Sequence, residues 1–343
     1  MSKKPLISIL TPAYNPRRYI SQTIRSILSQ TYQDWEWIIL DDGSTDGTGD
    51  IIRSAKDRRI HYYYQEHAGI TQLTKTFNKA LALCSGDFIA MLDHDDYWPD
   101  YKLKVQIESF DNPDTVLSYG VCCLVNQNGR KIMYTSLPDD PSVASNDPIG
   151  SALKALVFRR YSFIPNLTVM VRKAALSSIG GFVEAQGLYQ DFPTWTRLAL
   201  EGKFAAIPHC LGFHRKHPSS VTAGADPELG FEIRLRFLRT FIAMNKRRLN
   251  ELGFHWDTDM LEQRWEEIRK EQIYPYNKAM LLLHLGSFKK AREEFKKFLE
   301  KNRSIKNKLI YSLISLSSVI NTDLVNPAAE FKKKVRTFFK RTH

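Results

Sequence analysis

The sequence predicts an α/β fold with a mainly parallel central sheet and helices on both of its faces, followed by an all-helical C-terminal region. Short apolar runs alternate with helical stripes through the first hundred residues, a pattern typical of βαβ units. From Glu228 onward helical stripes dominate and strand-like runs nearly vanish. Glycines and an Asp-Pro pair interrupt the pattern just before that point. We therefore predict one domain over 1–227 and a helical region over 228–343.

The elements of the first domain follow in order. Its strands are the apolar runs Leu6–Leu10, Trp35–Leu40, Ile60–Tyr64 and Phe88–Leu92. Apolar residues at helical spacing predict helices between them, through Ile20, Ile24, Ile27 and Leu28 and through Leu73, Phe77, Ala80 and Leu81. Strands that are joined through helices in this way pair in parallel.

Later segments are less regular. The Asn126–Gly129 turn lies between two apolar runs and predicts a β-hairpin. Residues 136–150 contain three prolines and little apolar periodicity, so we expect a mobile surface loop there. In the C-terminal region, a helical stripe is formed by Phe288, Ala291, Phe295, Phe298 and Leu299.

The charge distribution argues against a nucleic-acid-binding protein. The net charge is +12, but residues 1–230 contain 24 basic and 24 acidic side chains, whereas 231–343 contain 25 and 13. The body is therefore neutral, and because no RNA- or DNA-binding motif is present we expect no nucleic-acid partner. The composition, 43% hydrophobic and 25% charged, excludes a disordered or collagen-like chain.

Targeting features predict a cytoplasmic protein. Four cysteines without metal-ligand spacing indicate reduced packing residues. The N-terminus lacks the apolar core of a signal peptide, and no run reaches the roughly 18 apolar residues that span a bilayer.

The last residues predict a basic amphipathic helix over about 327–341. One face contains Phe331, Val335, Phe338 and Phe339, and lysines and arginines occupy the rest. Such a helix is typical of in-plane binding to an anionic membrane, here the inner face of the plasma membrane. Packing of the apolar face against the helical region is the alternative, and the pattern does not choose between the two.

Three predicted strands each end in a polar cluster. The clusters are Thr11–Asn15, Asp41–Asp46 and Asp93–Asp96. Ligands of parallel α/β sheets bind at the carboxyl ends of the strands, and neighbouring strands lie about 4.8 Å apart, so one pocket is expected. Carboxylates that share a pocket repel one another unless a cation is present, and oxygen ligands favour Mg²⁺ or Mn²⁺. Taken singly, each cluster is also explained as a solvated turn or a helix cap.

Several common motifs are absent. No GxxxxGK[ST] is present, which disfavours a P-loop NTPase, and no GxGxxG follows the first strand, which disfavours a dinucleotide-dependent dehydrogenase. No GxSxG is present either, which disfavours a serine hydrolase of the nucleophile-elbow type.

Over residues 6–98 the sequence resembles the start of a glycosyltransferase family 2 enzyme, whose fold is GT-A. The matching stretches, in order, are Ser8–Asn15, Ile27–Thr31, Ile39–Asp46, Asn78–Leu81, Ser85–Asp87 and Leu92–Asp96. Weaker resemblance continues to about residue 222. It implies inverting transfer of a sugar from a nucleotide-sugar donor, expected to be a UDP-sugar, to a glycan or lipid-linked acceptor. The implied cofactor is Mn²⁺ or Mg²⁺, and the implied setting is bacterial cell-surface polysaccharide synthesis.

The same resemblance implies the binding residues. Donor-binding residues are Thr11, Pro12, Tyr14, Asn15, Asp42, Asn78, Asp93, His94, Asp95 and Arg215. Metal ligands are Asp95, Asp96 and His217, with Asp93-His94-Asp95 as the family's DxD motif. A tyrosine ring can stack on a base, a carboxylate can accept from a base N–H, and an arginine can neutralise phosphate. Which aspartate binds metal and which binds ribose stays open.

Asp191 is the implied catalytic base. The stretch Gln190–Leu198 matches the family's acidic motif, although Gln190 replaces a frequent Glu and Phe192-Pro193 departs from the common pattern. Asp191 would accept the proton of the acceptor hydroxyl as that oxygen attacks the anomeric carbon. The structural alternative is an N-cap for the helix that contains Trp195, a residue we expect to pack.

Two other functions remain open. A sugar-nucleotide pyrophosphorylase has a related fold, but its Gly-rich loop is missing where Thr11–Tyr14 stands. A non-catalytic scaffold would keep the fold and bind partners through the helical C-terminus, although the retained aspartates argue against it.

Overall fold

The protein is represented by a computed structural model that describes residues 4–158, 163–184, 191–221, 227–273, 278–279, 282–283, 287–301 and 305–320. Gln190 and the predicted basic helix over 327–341 lie outside these ranges. The chain divides into two compact units. The first comprises Met1–Cys123, Tyr134–His214 and Glu228–Leu261, and the second comprises Leu124–Met133, Arg215–Pro227 and Glu262–His343. The first unit thus extends past residue 227.

An eight-stranded mixed sheet forms the centre of the described fold. Its strands are β1 (Ile7–Ala13), β2 (Trp35–Asp42), β3 (Ile60–Gln65), β4 (Phe88–Met91), β5 (Thr115–Asn126), β6 (Lys131–Tyr134), β7 (Met170–Arg172) and β8 (Lys203–Lys216). Their order is β3-β2-β1-β4-β7-β5-β6, and β8 pairs with β5. The first four are parallel, and β7 is antiparallel to both β4 and β5. The predicted α/β class is confirmed.

The helices of the described residues connect and cover these strands. They are α1 (Ile20–Leu28), α2 (Thr48–Ser54), α3 (Leu73–Leu83), α4 (Lys102–Glu108), α5 (Pro141–Ser145), α6 (Leu153–Phe158), α7 (Lys173–Ser178), α8 (Asp191–Leu198), α9 (Pro227–Glu251), α10 (Thr258–Ile273), α11 (Phe288–Lys301) and α12 (Ile305–Ile320). Two 3-10 turns lie at Ile70–Gln72 and Asn166–Thr168.

The core of the first unit lies around β1. Every residue of β1 is buried, as expected for a strand covered on both faces. Helix α1 buries Ile20, Ile24 and Ile27 in the same cluster, which confirms the predicted stripe. Each such side chain contributes about 1.5–3 kcal/mol when fully buried. This packing holds the carboxyl ends of the parallel strands in fixed positions.

The hairpin predicted around Asn126–Gly129 is present. Strands β5 and β6 flank a turn in which the Asn126 side chain accepts the N–H groups of Asn128 and Arg130, each at 3.0 Å.

The prediction of a mobile surface loop over 136–150 is wrong in part. These residues contain α5 and the fully buried Asn146. The Asn146 amide donates to the carbonyls of Ala199 and Gly202 at 2.8 Å, partners too distant in sequence for a local pattern to reveal.

The second unit has a separate helical core. Helices α11 and α12 bury Phe288, Ala291, Phe295 and Ile314, so the predicted stripe of α11 is confirmed. Among the residues with a described structure, no helix is both long enough and apolar enough to cross a membrane.

Candidate active site

The carboxyl ends of β1, β2 and β4 lie side by side because β1 pairs in parallel with both of the others. Ala13 lies opposite Asp41 at the end of β1 and β2, and Leu10 lies opposite Met91 at the end of β4. The three predicted polar clusters therefore emerge at one edge of the sheet. His94 links two of them, since its Nδ1 lies 3.0 Å from the carbonyl oxygen of Pro12.

Thr11 and Asn15 support this edge through hydrogen bonds within the chain. The buried Thr11 hydroxyl donates to the Leu92 carbonyl at 2.8 Å and accepts from Nε1 of Trp37 at 2.9 Å. The Asn15 side chain accepts the N–H of Thr45 at 2.9 Å, which joins the first cluster to the second. Both residues position neighbouring segments, and direct contact of either with a donor stays a prediction.

Asp42 anchors the loop that follows β3. Its Oδ1 accepts the N–H of Ala68 at 3.0 Å and the side-chain amide of Gln65. Its Oδ2 accepts the N–H of Gly69 at 3.3 Å and lies 3.0 Å from Nδ1 of His67. Both carboxylate oxygens have partners within the chain, so a base N–H that binds Asp42 must share or replace one of them.

Tyr14 stacks on His67 in this loop. The two ring centroids are 4.1 Å apart and the ring planes are 17° from parallel. Tyr14 nevertheless stays 43% exposed. An exposed aromatic ring whose orientation is fixed by a neighbour is a suitable surface for a nucleobase.

Three carboxylates come together beyond β4. Burial, together with the negative charges of Asp95 and Asp191, raises the pKa of Asp93 to about 6. The Asn166 side chain, from the 3-10 turn before β7, donates a hydrogen bond to Asp93 and opposes the rise. The fold therefore places the predicted base close to the DxD aspartates, although about 100 residues separate them in sequence.

Asp191 begins helix α8. Burial raises the pKa of its carboxyl, and the positive charge of Arg234 on α9 is the largest effect that opposes the rise. Oδ1 of Asp191 accepts the N–H of Phe192 at 2.8 Å. Trp195, one helical turn further on, is fully buried and packs as expected.

Asp96 is set apart from the other two aspartates of its cluster by burial. It is 2% exposed, whereas Asp93 and Asp95 are only half-buried. Its N–H donates to the Asp93 carbonyl at 3.2 Å, and its own carbonyl accepts from the Thr23 hydroxyl at 2.7 Å. These bonds hold the turn that presents Asp93 and Asp95.

The carboxylate cluster fits a divalent cation in its chemistry. It offers oxygen ligands only, and the charges of Asp95 and Asp191 add to the effect of burial in raising the pKa of Asp93. Within the described ranges, no group of three or more His, Cys, Asp or Glu side chains is arranged to hold a metal by itself. A cation held there therefore needs further oxygen ligands, which phosphate groups can supply.

Asn78 joins helix α3 to the loop before α8. Its side-chain amide donates to the carbonyl of Phe182 at 2.9 Å, and its side-chain oxygen accepts the N–H of Phe182 at 2.8 Å. These contacts give Asn78 a positioning role, and its predicted contact with the donor remains a prediction.

Arg215 and His217 belong to the second unit. Arg215 is 2% exposed and donates to the carbonyl of Gln127 at 3.2 Å, and Nδ1 of His217 lies 2.9 Å from the Ser219 hydroxyl. Their predicted roles toward diphosphate and metal stay predictions.

Three residues of this region were not found by sequence reasoning. His67 stacks on Tyr14. Asn166 donates a hydrogen bond to Asp93, and Arg234 acts on the charge of Asp191. No spacing rule connects them to the motifs, because each lies on a separate segment that only the fold brings near.

The parallel strands β1–β4, with polar clusters at one carboxyl edge of the sheet, form the architecture of the GT-A-type glycosyltransferases. A sequence profile described as "Glycosyl transferase family 2" matches residues 8–180. The chain belongs to this family and is a glycosyltransferase. The match ends before Asp191.

Relatives of known name agree with this assignment. The chain is 34% identical over 224 residues to "Putative teichuronic acid biosynthesis glycosyltransferase TuaG" of Bacillus subtilis (strain 168), covering 64% of this chain and 82% of that protein. It is 31% identical over 230 residues to "UDP-Glc:alpha-D-GlcNAc-diphosphoundecaprenol beta-1,3-glucosyltransferase WfaP" of Escherichia coli, covering 65% and 82%.

A solved structure supports the fold. The crystal structure of S. aureus TarS residues 1–349 in complex with UDP-GlcNAc superposes with a TM-score of 0.58 at 17% identity, covering 92% of both chains. At this identity the similarity shows the fold alone.

Proposed function

We propose that the protein is an inverting glycosyltransferase that moves a sugar from a UDP-sugar to a glycan or lipid-linked acceptor. The observation that carries this proposal is the proximity of Asp191 to the Asp93–Asp95 cluster at the carboxyl edge of the sheet. Asp191 can act on the acceptor hydroxyl while the cluster lies near the donor diphosphate. The stacked Tyr14 and the Asp42 loop provide the nucleoside side of the same edge.

The setting that we propose is bacterial cell-surface polysaccharide synthesis. Its support is the pair of relatives TuaG and WfaP, whose names refer to teichuronic acid biosynthesis and to a diphosphoundecaprenol-linked acceptor. Both relatives align with about two-thirds of this chain.

The proposed reaction is a single displacement. The acceptor oxygen forms a bond to the anomeric carbon from the face opposite the diphosphate, the bond from that carbon to the phosphate oxygen breaks, and the nucleoside diphosphate leaves with the bond electrons. Asp191 accepts the acceptor proton. Burial raises the pKa of Asp191, which makes it a stronger base than an ordinary carboxylate.

A divalent cation is part of the proposal. Asp95 and Asp96, together with phosphate oxygens of the donor, would hold Mn²⁺ or Mg²⁺, and the bound cation would offset the negative charge of the leaving diphosphate. Asp93 would then bind the donor ribose. The carboxylate oxygens suit either cation.

A thermal-shift panel of nucleotide sugars, with and without Mn²⁺, tests the proposal. We expect a rise in melting temperature for one UDP-sugar that depends on Mn²⁺, followed by hydrolysis or transfer of that sugar. Stabilisation by no nucleotide sugar, together with no donor hydrolysis, would refute the proposal and favour the scaffold alternative.

We also propose that the basic helix predicted over 327–341 binds the inner face of the plasma membrane. Six basic side chains and no acidic side chain lie within 331–343, and each basic residue near an anionic surface contributes about 1 kcal/mol. Sedimentation with anionic vesicles should decrease when 327–341 is deleted and should be weak for neutral vesicles. Unchanged sedimentation with anionic vesicles would contradict the membrane role.

A further inference from the structure

A cleft of about 490 Å³ opens in the first unit beside helix α8. Its walls come from the start of α3, from the residues that follow Phe182, from α8 and from α9. The side chains that the following argument uses are Lys75, Glu184, Arg197, Arg236 and Phe237. This cleft is separate from the residues that sequence reasoning assigned to donor and metal.

The cleft is cationic although the surrounding body is neutral. Three positively charged side chains, Lys75, Arg197 and Arg236, line it against one carboxylate, Glu184. Helix α3 begins at the same wall and has no acidic residue in its first turn, so its N-terminus adds a partial positive charge. Arginine and lysine side chains together with a polar lining are the chemistry that recognises phosphate or carboxylate groups.

One wall of the cleft packs against the residue that follows the base. The ring of Phe237, which lines the cleft, lies 5.6 Å from the ring of Phe192, and Phe192 follows Asp191 directly. Arg197 follows Asp191 by six residues on α8, a rise of about 9 Å along the helix axis. Helix α8 therefore contains both the base and one of the cationic side chains that line the cleft.

The lip of the cleft is held in place by side-chain hydrogen bonds. The N–H of Val183 donates to the Thr194 hydroxyl of α8 at 3.0 Å, and Asn78 binds the main chain of Phe182. Arg197 donates to the Ile179 carbonyl at 3.3 Å, so this arginine also supports the loop before the cleft. The cleft is thus a formed feature of the first unit.

We infer that this cleft binds an anionic group of the acceptor, a phosphate or a sugar carboxylate, while Asp191 acts on the acceptor hydroxyl. The inference rests on the proposed glycosyl transfer and deepens it. It states that the acceptor is anionic and that its anionic group binds in this cleft. Phosphate and carboxylate are two sources of the same chemistry, and the experiment separates them.

The test compares binding of three soluble acceptor analogues to the full-length protein by calorimetric titration. One is an N-acetylhexosamine diphosphate with a short alkyl chain, one is an alkyl hexuronide, and one is the neutral alkyl glycoside of the same hexosamine. The variants are Lys75→Glu and Arg236→Glu, and the matched control is Lys104→Glu, an exposed lysine on α4 that does not line the cleft.

We expect the anionic analogue that matches the acceptor to bind at least about tenfold more weakly to each cleft variant than to wild type, the scale of one charge-assisted contact. The neutral analogue and Lys104→Glu should show no such loss. In transfer assays the same variants should raise KM for the anionic acceptor while hydrolysis of the donor in the absence of acceptor stays within about twofold of wild type.

Equal binding of the anionic analogues to wild type and to both variants overturns the inference, as does an equal loss for the neutral analogue. A response to the diphosphate or to the hexuronide identifies which anion the cleft takes. These titrations need no catalysis, so a protein that neither binds nor hydrolyses any nucleotide sugar refutes the proposed function separately.

Discussion

The side chain of Asn78 forms two hydrogen bonds with the main chain of Phe182, donating to the carbonyl at 2.9 Å and accepting the N–H at 2.8 Å. The two residues are 104 positions apart. This pair ties helix α3, which follows the loop anchored by Asp42, to the segment that precedes Asp191. The relative position of these two segments therefore depends on it.

Replacing Asn78 with Ala should lower the free energy of unfolding by about 1–3 kcal/mol, because two buried main-chain groups of Phe182 lose their partner. Urea denaturation measures this loss, with Lys104→Ala as an exposed control. If Asn78 acts only through position, the affinity for the donor nucleotide should change less than twofold. A large loss of nucleotide affinity in a variant that remains folded would instead support direct contact with the donor.

Gly181 and Gly180 offer a matched pair. Both have left-handed φ angles, 88° and 84°, so alanine is strained at either position. A Cβ at Gly181 would lie 2.7 Å from Oδ1 of Asn78, whereas a Cβ at Gly180 would have no atom of the described residues within 4 Å. Gly181→Ala should therefore destabilise the protein by about 1 kcal/mol or more beyond Gly180→Ala. Equal melting temperatures for the two variants would show that Asn78 moves away from the new Cβ without a loss of stability.

Asp191→Asn should remove transfer while leaving donor binding nearly intact. The amide cannot accept the acceptor proton, and loss of a general base lowers kcat by about 10²–10⁴-fold. Transfer rates and nucleotide titration measure the two effects, with the exposed Asp139→Asn as control. Near-wild-type transfer by Asp191→Asn would exclude this residue as the base.

Tyr14→Ala should weaken binding of the donor nucleotide by about tenfold, since stacking of an aromatic side chain on a base contributes roughly 1–3 kcal/mol. Titration with the free nucleoside diphosphate isolates this effect from the sugar. Tyr64→Ala removes a tyrosine that is 61% exposed on β3 and should leave the affinity unchanged. The same affinity in both variants would mean that the base does not stack on Tyr14.

Lys102 is a buried amine whose pKa lies well below its usual range because burial disfavours its charged form. Its Nζ has no hydrogen-bond partner among the residues that the structure describes and lies 3.8 Å from the centre of the Trp98 ring. Lys102→Met should raise the free energy of unfolding at pH 7 by about 1–3 kcal/mol.

The neutral, buried Lys102 should also make the free energy of unfolding depend on pH. Between the lowered folded pKa and the ordinary value of 10.5, the unfolded chain binds a proton that the folded chain does not. The stability of the wild type should therefore rise with pH through this window, and that of Lys102→Met should rise less. Urea denaturation at pH 7 and pH 9.5 compares the two, and parallel pH curves would contradict the assignment. Lys104→Met is the exposed control.

Local sequence pattern predicted the four parallel strands of the sheet and the β5–β6 hairpin. The apolar runs that form β1 and β2 are buried along nearly their whole length, so a continuous run of apolar residues was enough to predict both strands. Helix α1 could also be predicted, because the spacing of Ile20, Ile24 and Ile27 matches the helical repeat. The segment over 136–150 was misjudged because Asn146 is satisfied by carbonyls more than 50 residues away.

The sequence by itself determined the fold class, the parallel pairing of the first strands and the family, since these depend on periodicity and on motifs along the chain. Only the tertiary structure decided that Asp191 lies close enough to Asp93 to raise its pKa, that His67 stacks on Tyr14, and that Asn78 holds Phe182. The physical reason is that charge interaction, ring stacking and hydrogen bonding depend on distances of a few ångströms in space. Separation along the chain does not encode those distances.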